Sequence, residues 1–203
     1  MNLLRSILLV SALTLGGCAG APLIMNSPSQ ELPAPQPDKA QIVFLNPAGS
    51  IAGAFLAGIY EIKKDQREFY GMVGSKNKLF INVDPGQHLF MSNSIGVAHF
   101  LDANVDAGKR YYVLLRFVYG RGLQLRPIRP VGNDEFSASN PQFESWKKDA
   151  SFVVKTPEAD AWYAKYKQDF VDKGQEKGWA EWQAKTPEQR AELTLNRNDS
   201  FNH

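Results

Sequence analysis

One cysteine, Cys18, occurs in 203 residues, so no disulfide can form within the chain, although export would normally permit one. Histidine is nearly as scarce. His88 and His99 fall on predicted strands and His203 at the terminus, with none in the HExxH or paired spacing of a zinc site. Neither a metal nor another cofactor is expected. Charge of one sign is lacking too: leaving out Arg5, 22 basic residues stand against 21 acidic ones. That balance supplies little of the phosphate attraction behind nucleic-acid binding, which makes DNA and RNA unlooked-for partners. There is no GxSxG elbow, and Gly120-Arg121-Gly122 lacks the helix and the remaining glycine of a dinucleotide loop. No apolar run reaches the about 20 residues of a spanning helix.

The amino terminus does carry a signal. Met1 to Gly17 combines a positive charge at Arg5, an apolar run from Ile7 to Leu15 and small residues at Gly16 and Gly17, the three parts of an export signal. Leu15-Gly16-Gly17-Cys18 resembles the lipobox of bacterial lipoproteins, which implies cleavage before Cys18 and acylation of its thiol. More than one acyl chain is needed for stable anchoring, and a triacylated Cys18 meets that need. The other reading is an ordinary secretory signal with an incidental cysteine. Ala19, where an Asp typically retains such proteins in the inner membrane, implies a lipid-anchored, periplasm-facing protein of the outer membrane.

Residues 18–38 read as the lipidated cysteine and a tether. Pro22, Pro28, Pro33, Pro35 and Pro37 fix φ and remove donors, which predicts an extended, unpaired segment. Pro33-Ala34-Pro35-Gln36-Pro37 also reads as a docking peptide for an aromatic groove.

From residue 39 to 131 the pattern shortens to apolar runs of strand length, which predicts an antiparallel β-sandwich of about seven to eight strands. The expected strands are Ala40 to Asn46, Ala54 to Ile62, Phe69 to Val73, Leu79 to Val83, Gln87 to Asn93, Val97 to Asn104, Arg110 to Val118 and Leu123 to Arg129. Asp84-Pro85-Gly86, Asp106-Ala107-Gly108-Lys109 and Tyr119-Gly120-Arg121-Gly122 read as tight reversals between paired strands. Leu79, Ile81 and Val83 alternate. Tyr111 to Val118, apart from Arg116, and Ile42 to Leu45 are largely apolar on both faces, so a second layer must cover part of the sheet.

Three blocks, Ala40 to Pro47, Val83 to Phe90 and Ala107 to Val113, resemble the successive blocks of the bacterial lipoprotein family catalogued as domain of unknown function 2846. The likeness spans roughly residues 39–130, with the lipobox and linker before it. It implies a periplasm-facing β domain with no assigned activity, and carries over no catalytic residue.

Residues 132–203 read as a helical carboxy-terminal extension. Thr156-Pro157-Glu158 places an N-cap hydroxyl, a first-turn proline and an acid at a helix start. Trp162, Tyr163, Tyr166 and Phe170 then form one stripe, and Gly174 and Gly178 are expected to weaken or end the helix. Thr186-Pro187-Glu188-Gln189 repeats the start signal with a capping box. Asn196 to His203 reads as a frayed tail.

The candidate partner-binding residues are Arg116, Arg121, Arg126 and Arg129, together with Trp162 and Tyr166. The arginines approach one hairpin edge, where they either hold phosphate or carboxylate groups bidentately or protect the edge from strand addition. The aromatic stripe either packs on the sandwich or faces a partner, glycan or membrane surface. Lys147, Lys148, Lys165 and Lys167 read as solvated cations or as contacts to anionic headgroups. Glu61, Asp65 and Glu68 are the acids a glycosidase pair would draw on, whereas His99 and Asp102 fall on opposite strand faces and make no triad. The expectation is a non-catalytic binding or accessory module for an envelope protein or polymer, the alternative a hydrolase acting on an envelope polymer such as peptidoglycan.

Overall fold

The computed structural model describes residues 22–49, 55–64 and 66–202. The signal, Cys18, Asp65 and His203 lie outside them. The chain is mainly β, with 43% strand and 24% helix. Its strands are β1 (Ile24–Asn26), β2 (Ala40–Asn46), β3 (Ala57–Lys63), β4 (Gln66–Val73), β5 (Asn77–Val83), β6 (Gly86–Ser94), β7 (Val97–Val105), β8 (Arg110–Val118), β9 (Gly122–Ile128), β10 (Ser151–Lys155) and β11 (Thr194–Leu195). One sheet has the order β1-β10-β5-β2-β8-β9 and the other β11-β7-β6-β3-β4.

Alternation puts these sheets face to face. Ile42, Phe44, Leu79, Ile81, Val83, Tyr111 and Val113 of the first meet Ala57, Ile59, Phe90 and Leu101 of the second in one buried core. The doubly apolar strands are covered on their other side as well. Val43, Tyr112 and Leu114 pack under Phe143 of helix α1 (Phe143–Asp149), with Phe136 and Phe201 against them.

All eight expected strands form, but the sheets are mixed, and there are eleven strands among the described residues. β2 runs parallel to β8, β10 to β5 and β11 to β7. The reason lies in the turns. Of the three expected reversals only Tyr119 to Gly122 closes a hairpin, with the Arg121 N–H on the Val118 carbonyl at 2.9 Å. Asp84-Pro85-Gly86 and Asp106 to Lys109 instead lead from one sheet to the other, so the strands they join are not partners and no antiparallel constraint holds. The three unforeseen strands have 3, 5 and 2 residues, too short to show a period.

The expected free tether is docked from Pro22 onward. β1 pairs antiparallel with β10. The Gln30 amide accepts from the Phe152 N–H at 2.7 Å and donates to its carbonyl at 3.1 Å. Pro33 offers its carbonyl to Gln41 Nε2 at 3.2 Å and Arg110 Nη2 at 2.7 Å. Proline cannot donate, but its carbonyl still accepts, and the β10 edge has backbone groups to satisfy.

The extension after residue 131 is likewise woven in, since β10 and β11 enter the two sheets. Helix α2 (Pro157–Tyr166) continues through a π-helical turn, Lys167–Asp172, into α3 (Lys173–Gln183), and α4 (Pro187–Ala191) carries the capping box. The glycines do not end the helix. A β-carbon on Gly178 would stand 2.1 Å from the Ala98 carbonyl oxygen, and one on Gly174 would stand 2.5 Å from Asn93 Nδ2. Both glycines are therefore points where α3 lies directly on β7 and its turn. Nor is residue 196 the start of a frayed tail: Asp199 is buried, its carboxylate accepts the Asn196 N–H at 2.7 Å, and the Phe201 N–H reaches the Arg110 carbonyl at 2.8 Å.

Candidate functional site: the Glu61–His88 cleft

Of the four arginines singled out in the sequence, three are committed to acids of the carboxy-terminal segment. Arg121 pairs with Glu181, Arg126 with Glu192 at 2.9 Å, and Arg129 with Asp199 at 2.5 Å. Arg129 Nη2 also donates to the Ala191 and Thr194 carbonyls. Arg116 and Arg126 lie over the Phe136 ring at 5.5 and 4.2 Å. The paired arginines clamp the helical segment over β8 and β9. They do not converge on an empty anion site.

The aromatic stripe divides in two. Tyr163 stacks among Tyr60 and Phe69, at 5.5 and 5.0 Å between ring centroids. Arg67 fastens it there, its Nε donating to the Tyr163 hydroxyl at 3.0 Å while its other nitrogens bond Gln175 and Asp172. Phe170 packs against the same helix-side cluster as Tyr163. Trp162 is half-buried, in contact with Tyr166 at 5.4 Å and Phe170 at 5.8 Å, and Tyr166 is 38% exposed. Packing accounts for Tyr163 and Phe170, and leaves Tyr166 with part of Trp162 facing outward.

The most elaborate polar cluster surrounds Glu61, whose side chain is only 4% exposed. Pairing of β3 with β6 sets Glu61 opposite Phe90, which makes His88, two residues along, its diagonal neighbour. One carboxylate oxygen lies 2.6 Å from His88 Nδ1. The other accepts from the Tyr70 hydroxyl at 2.5 Å and lies 3.2 Å from Lys63 Nζ. His88 Nε2 faces the Asp84 carbonyl at 2.8 Å. Both ring nitrogens therefore meet acceptors, and the ring is held as imidazolium with both N–H groups donating.

Electrostatics agree with that assignment. Burial alone would raise Glu61, but the hydrogen bonds from His88 and Tyr70 outweigh it and hold the carboxyl below its ordinary value. Burial would likewise lower His88, and the Glu61 bond with the Asp84 carbonyl reverses this and raises it. Burial, reinforced by the Glu61 carboxylate, pushes Tyr70 far up. An imidazolium with no lone pair and a carboxylate with both oxygens occupied hold charge rather than shuttle protons.

Glu61, Lys63 and His88 line one side of a cleft of about 660 Å³, together with Lys64, Asp102, Asn104, Thr194 and Asn196. Burial raises the Asp102 carboxyl above its ordinary value. His99 stays apart: on the opposite face of β7, it donates from Nε2 to the Arg121 carbonyl at 2.9 Å. Glu68 is paired with Lys63 at 2.5 Å. Among the described residues no group of three or more His, Cys, Asp and Glu is placed to hold a metal ion. Glu61 and His88 stand 27 positions apart, so no local spacing marks them, and only the non-consecutive pairing of β3 and β6 brings them together.

No family model matches the chain, and no curated protein does. Among solved structures it is similar to an NMR structure of a protein from Eubacterium rectale, at 16% identity and a TM-score of 0.33, over 47% of this chain and 92% of that one.

Proposed function

We propose that the chain is an outer-membrane lipoprotein, anchored through acylated Cys18, whose β-sandwich body binds an envelope protein or polymer on the periplasmic side without catalysing a reaction. The strand-and-turn blocks between residues 39 and 130 support its membership of the domain of unknown function 2846 family.

One observation carries this reading. Three residues, Ala19 to Ala21, separate Cys18 from Pro22, and the Pro22 carbonyl already accepts a hydrogen bond from Thr156 Oγ1 at 2.9 Å. At a reach of about 3.5 Å per residue, the anchor and the folded body are within about 14 Å of each other. Such a leash lets the body rest on the bilayer instead of standing off from it. The surface beside it suits that position: Met25 is 53% exposed and Leu56 38%, and α2, capped by Thr156, carries Trp162 and Tyr166, residue types at home at a membrane interface.

Hydrolysis of an envelope polymer is the second reading, favoured by one observation, the raised Asp102 carboxyl in the large cleft. Incubating the full chain with isolated sacculi separates the two. Binding predicts co-sedimentation without released fragments, whereas fragment release abolished by Asp102→Asn establishes hydrolysis. Cys18→Ala should remove the protein from the outer-membrane fraction.

A further inference from the structure

We propose that the outer face of the six-stranded sheet holds a binding site for an amphipathic organic anion, a phosphate or carboxylate on an apolar body, with its charged head between Lys78, Lys147 and Lys148. This does not rest on the anchoring reading. The site is a recess of about 340 Å³ between α1, the docked segment around Leu32 and the strands β2, β5, β8 and β10. Lys78 and Arg110 flank it through their pairing with Leu45 and Gln41 of β2. Those two partners are four residues apart, which sets the length of the recess at about 13 Å.

Its charge is one-sided. Four cations line it, Lys78, Arg110, Lys147 and Lys148, against a single acid, Glu144. Glu144 is 79% exposed and already paired with Lys147 at 2.7 Å. Among the described residues no carboxylate comes within 4.0 Å of Lys78, Arg110 or Lys148. Lys39, Lys63, Arg67, Arg121, Arg126 and Arg129, by contrast, each have an acid.

Lys78 is the informative member. Its ammonium donates to the Lys147 carbonyl at the end of α1 and stands 4.4 Å from the centroid of the Phe152 ring. An ammonium has three donors, so two remain uncommitted to any described residue. Burial holds its pKa below the ordinary lysine value, with no anion to restore it. A partly desolvated cation without a counter-ion is unfavourable in the empty protein, and an incoming anion relieves it. Arg110 donates from Nε to Gln41 at 2.6 Å and from Nη2 to Pro33, leaving Nη1 available at the other end.

Apart from Gln30, the uncharged side chains between those ends are apolar or aromatic. Leu32, Tyr112 and Phe152 contribute to the lining, and Lys147 sits 4.7 Å from the Phe143 ring and 5.7 Å from the Tyr112 ring. Charge at the ends with hydrocarbon between fits a head and a short apolar body better than a bare inorganic ion.

Titration calorimetry of the full chain with hexyl phosphate, inorganic phosphate and hexanol tests this. Hexyl phosphate should bind about tenfold or more tighter than either half alone, because both the charge and the buried methylenes contribute. Lys148→Ala, at an exposed side chain with no ion-pair partner, should weaken it about fivefold with an unchanged unfolding temperature, and Lys78→Met about tenfold. Competition by monomeric dihexanoyl phosphatidylglycerol assigns the site to a lipid headgroup, and failure to compete while hexyl phosphate binds assigns it to a soluble organic anion. Equal affinity for inorganic phosphate and hexyl phosphate, no binding of hexyl phosphate, or affinity untouched by both substitutions would overturn the proposal.

Discussion

The Thr156 hydroxyl donates to the Pro22 carbonyl oxygen at 2.9 Å and accepts from the Ala159 N–H at 3.1 Å. One side chain thus caps α2 and fastens Pro22, joining the segment before β1 to the helical layer. Thr156→Val keeps the shape and removes both bonds. It should cost about 1 kcal/mol of stability, the usual worth of an N-cap. Hydrogen exchange should accelerate in β1, while β2 stays protected.

Gly178→Ala sets two effects against each other. Helix propensity favours alanine by about 1 kcal/mol, but its β-carbon would stand 2.1 Å from the Ala98 carbonyl oxygen. Contact with backbone leaves no flexible group to yield, so packing wins, and a net loss of about 2 kcal/mol is expected by chemical denaturation. Net stabilisation would show that α3 is not seated on β7 as described.

The ion pair of Glu61 and His88 gives stability a defined pH dependence. His88 is raised above its ordinary value of 6.5, so its contribution is complete below that pH and is lost as pH rises through the folded value. Glu61 is lowered from 4.5, so its contribution is present above that pH and lost as pH falls through its folded value. Between them lies a plateau. Burial shifts His99 the opposite way, but it is common to both proteins when the parent is compared with His88→Gln. The difference should be about 2 kcal/mol on the plateau and shrink as pH rises; a difference that grows with pH would mean that the ring is neutral.

The arginine clamp is testable by contrast. Arg129→Gln removes three contacts to the carboxy-terminal segment and should cost about 2 kcal/mol. Arg116→Gln, at a side chain with no ion-pair partner among the described residues, should cost less than about 0.5 kcal/mol. Neither should alter co-sedimentation with sacculi. A large effect of Arg116→Gln on binding alone would restore that residue to a contact role.

Much of this architecture was legible because the informative positions are local. Leu79, Ile81 and Val83 announce a one-sided strand by their spacing, Val113 and Leu114 a two-sided one, and Thr186 with Gln189 a capped helix. What escaped depends on partners far along the chain. Sequence marks Asp84-Pro85-Gly86 as a turn but not whether the following strand stays in its sheet. Gly174 and Gly178 read as weak helix positions until Asn93 and Ala98 are placed against them. The proline-rich stretch reads as free because its strongest feature, carbonyls without N–H donors, becomes structural only when Gln41 and Arg110 arrive to bond them. Glu61 and His88 likewise belong to strands that pair although two others intervene in sequence, β4 in the same sheet and β5 in the other. Lys147 and Lys148 read from sequence as solvated charge or as headgroup contacts, and only the fold sets them beside Lys78.

Mass spectrometry of the amino-terminal peptide, taken from the outer-membrane fraction of cells expressing the full chain, tests the central claim most directly. The expected species begins at Cys18 and carries acyl chains. An unmodified thiol at that position, or a leader still attached through Gly17, would contradict the account.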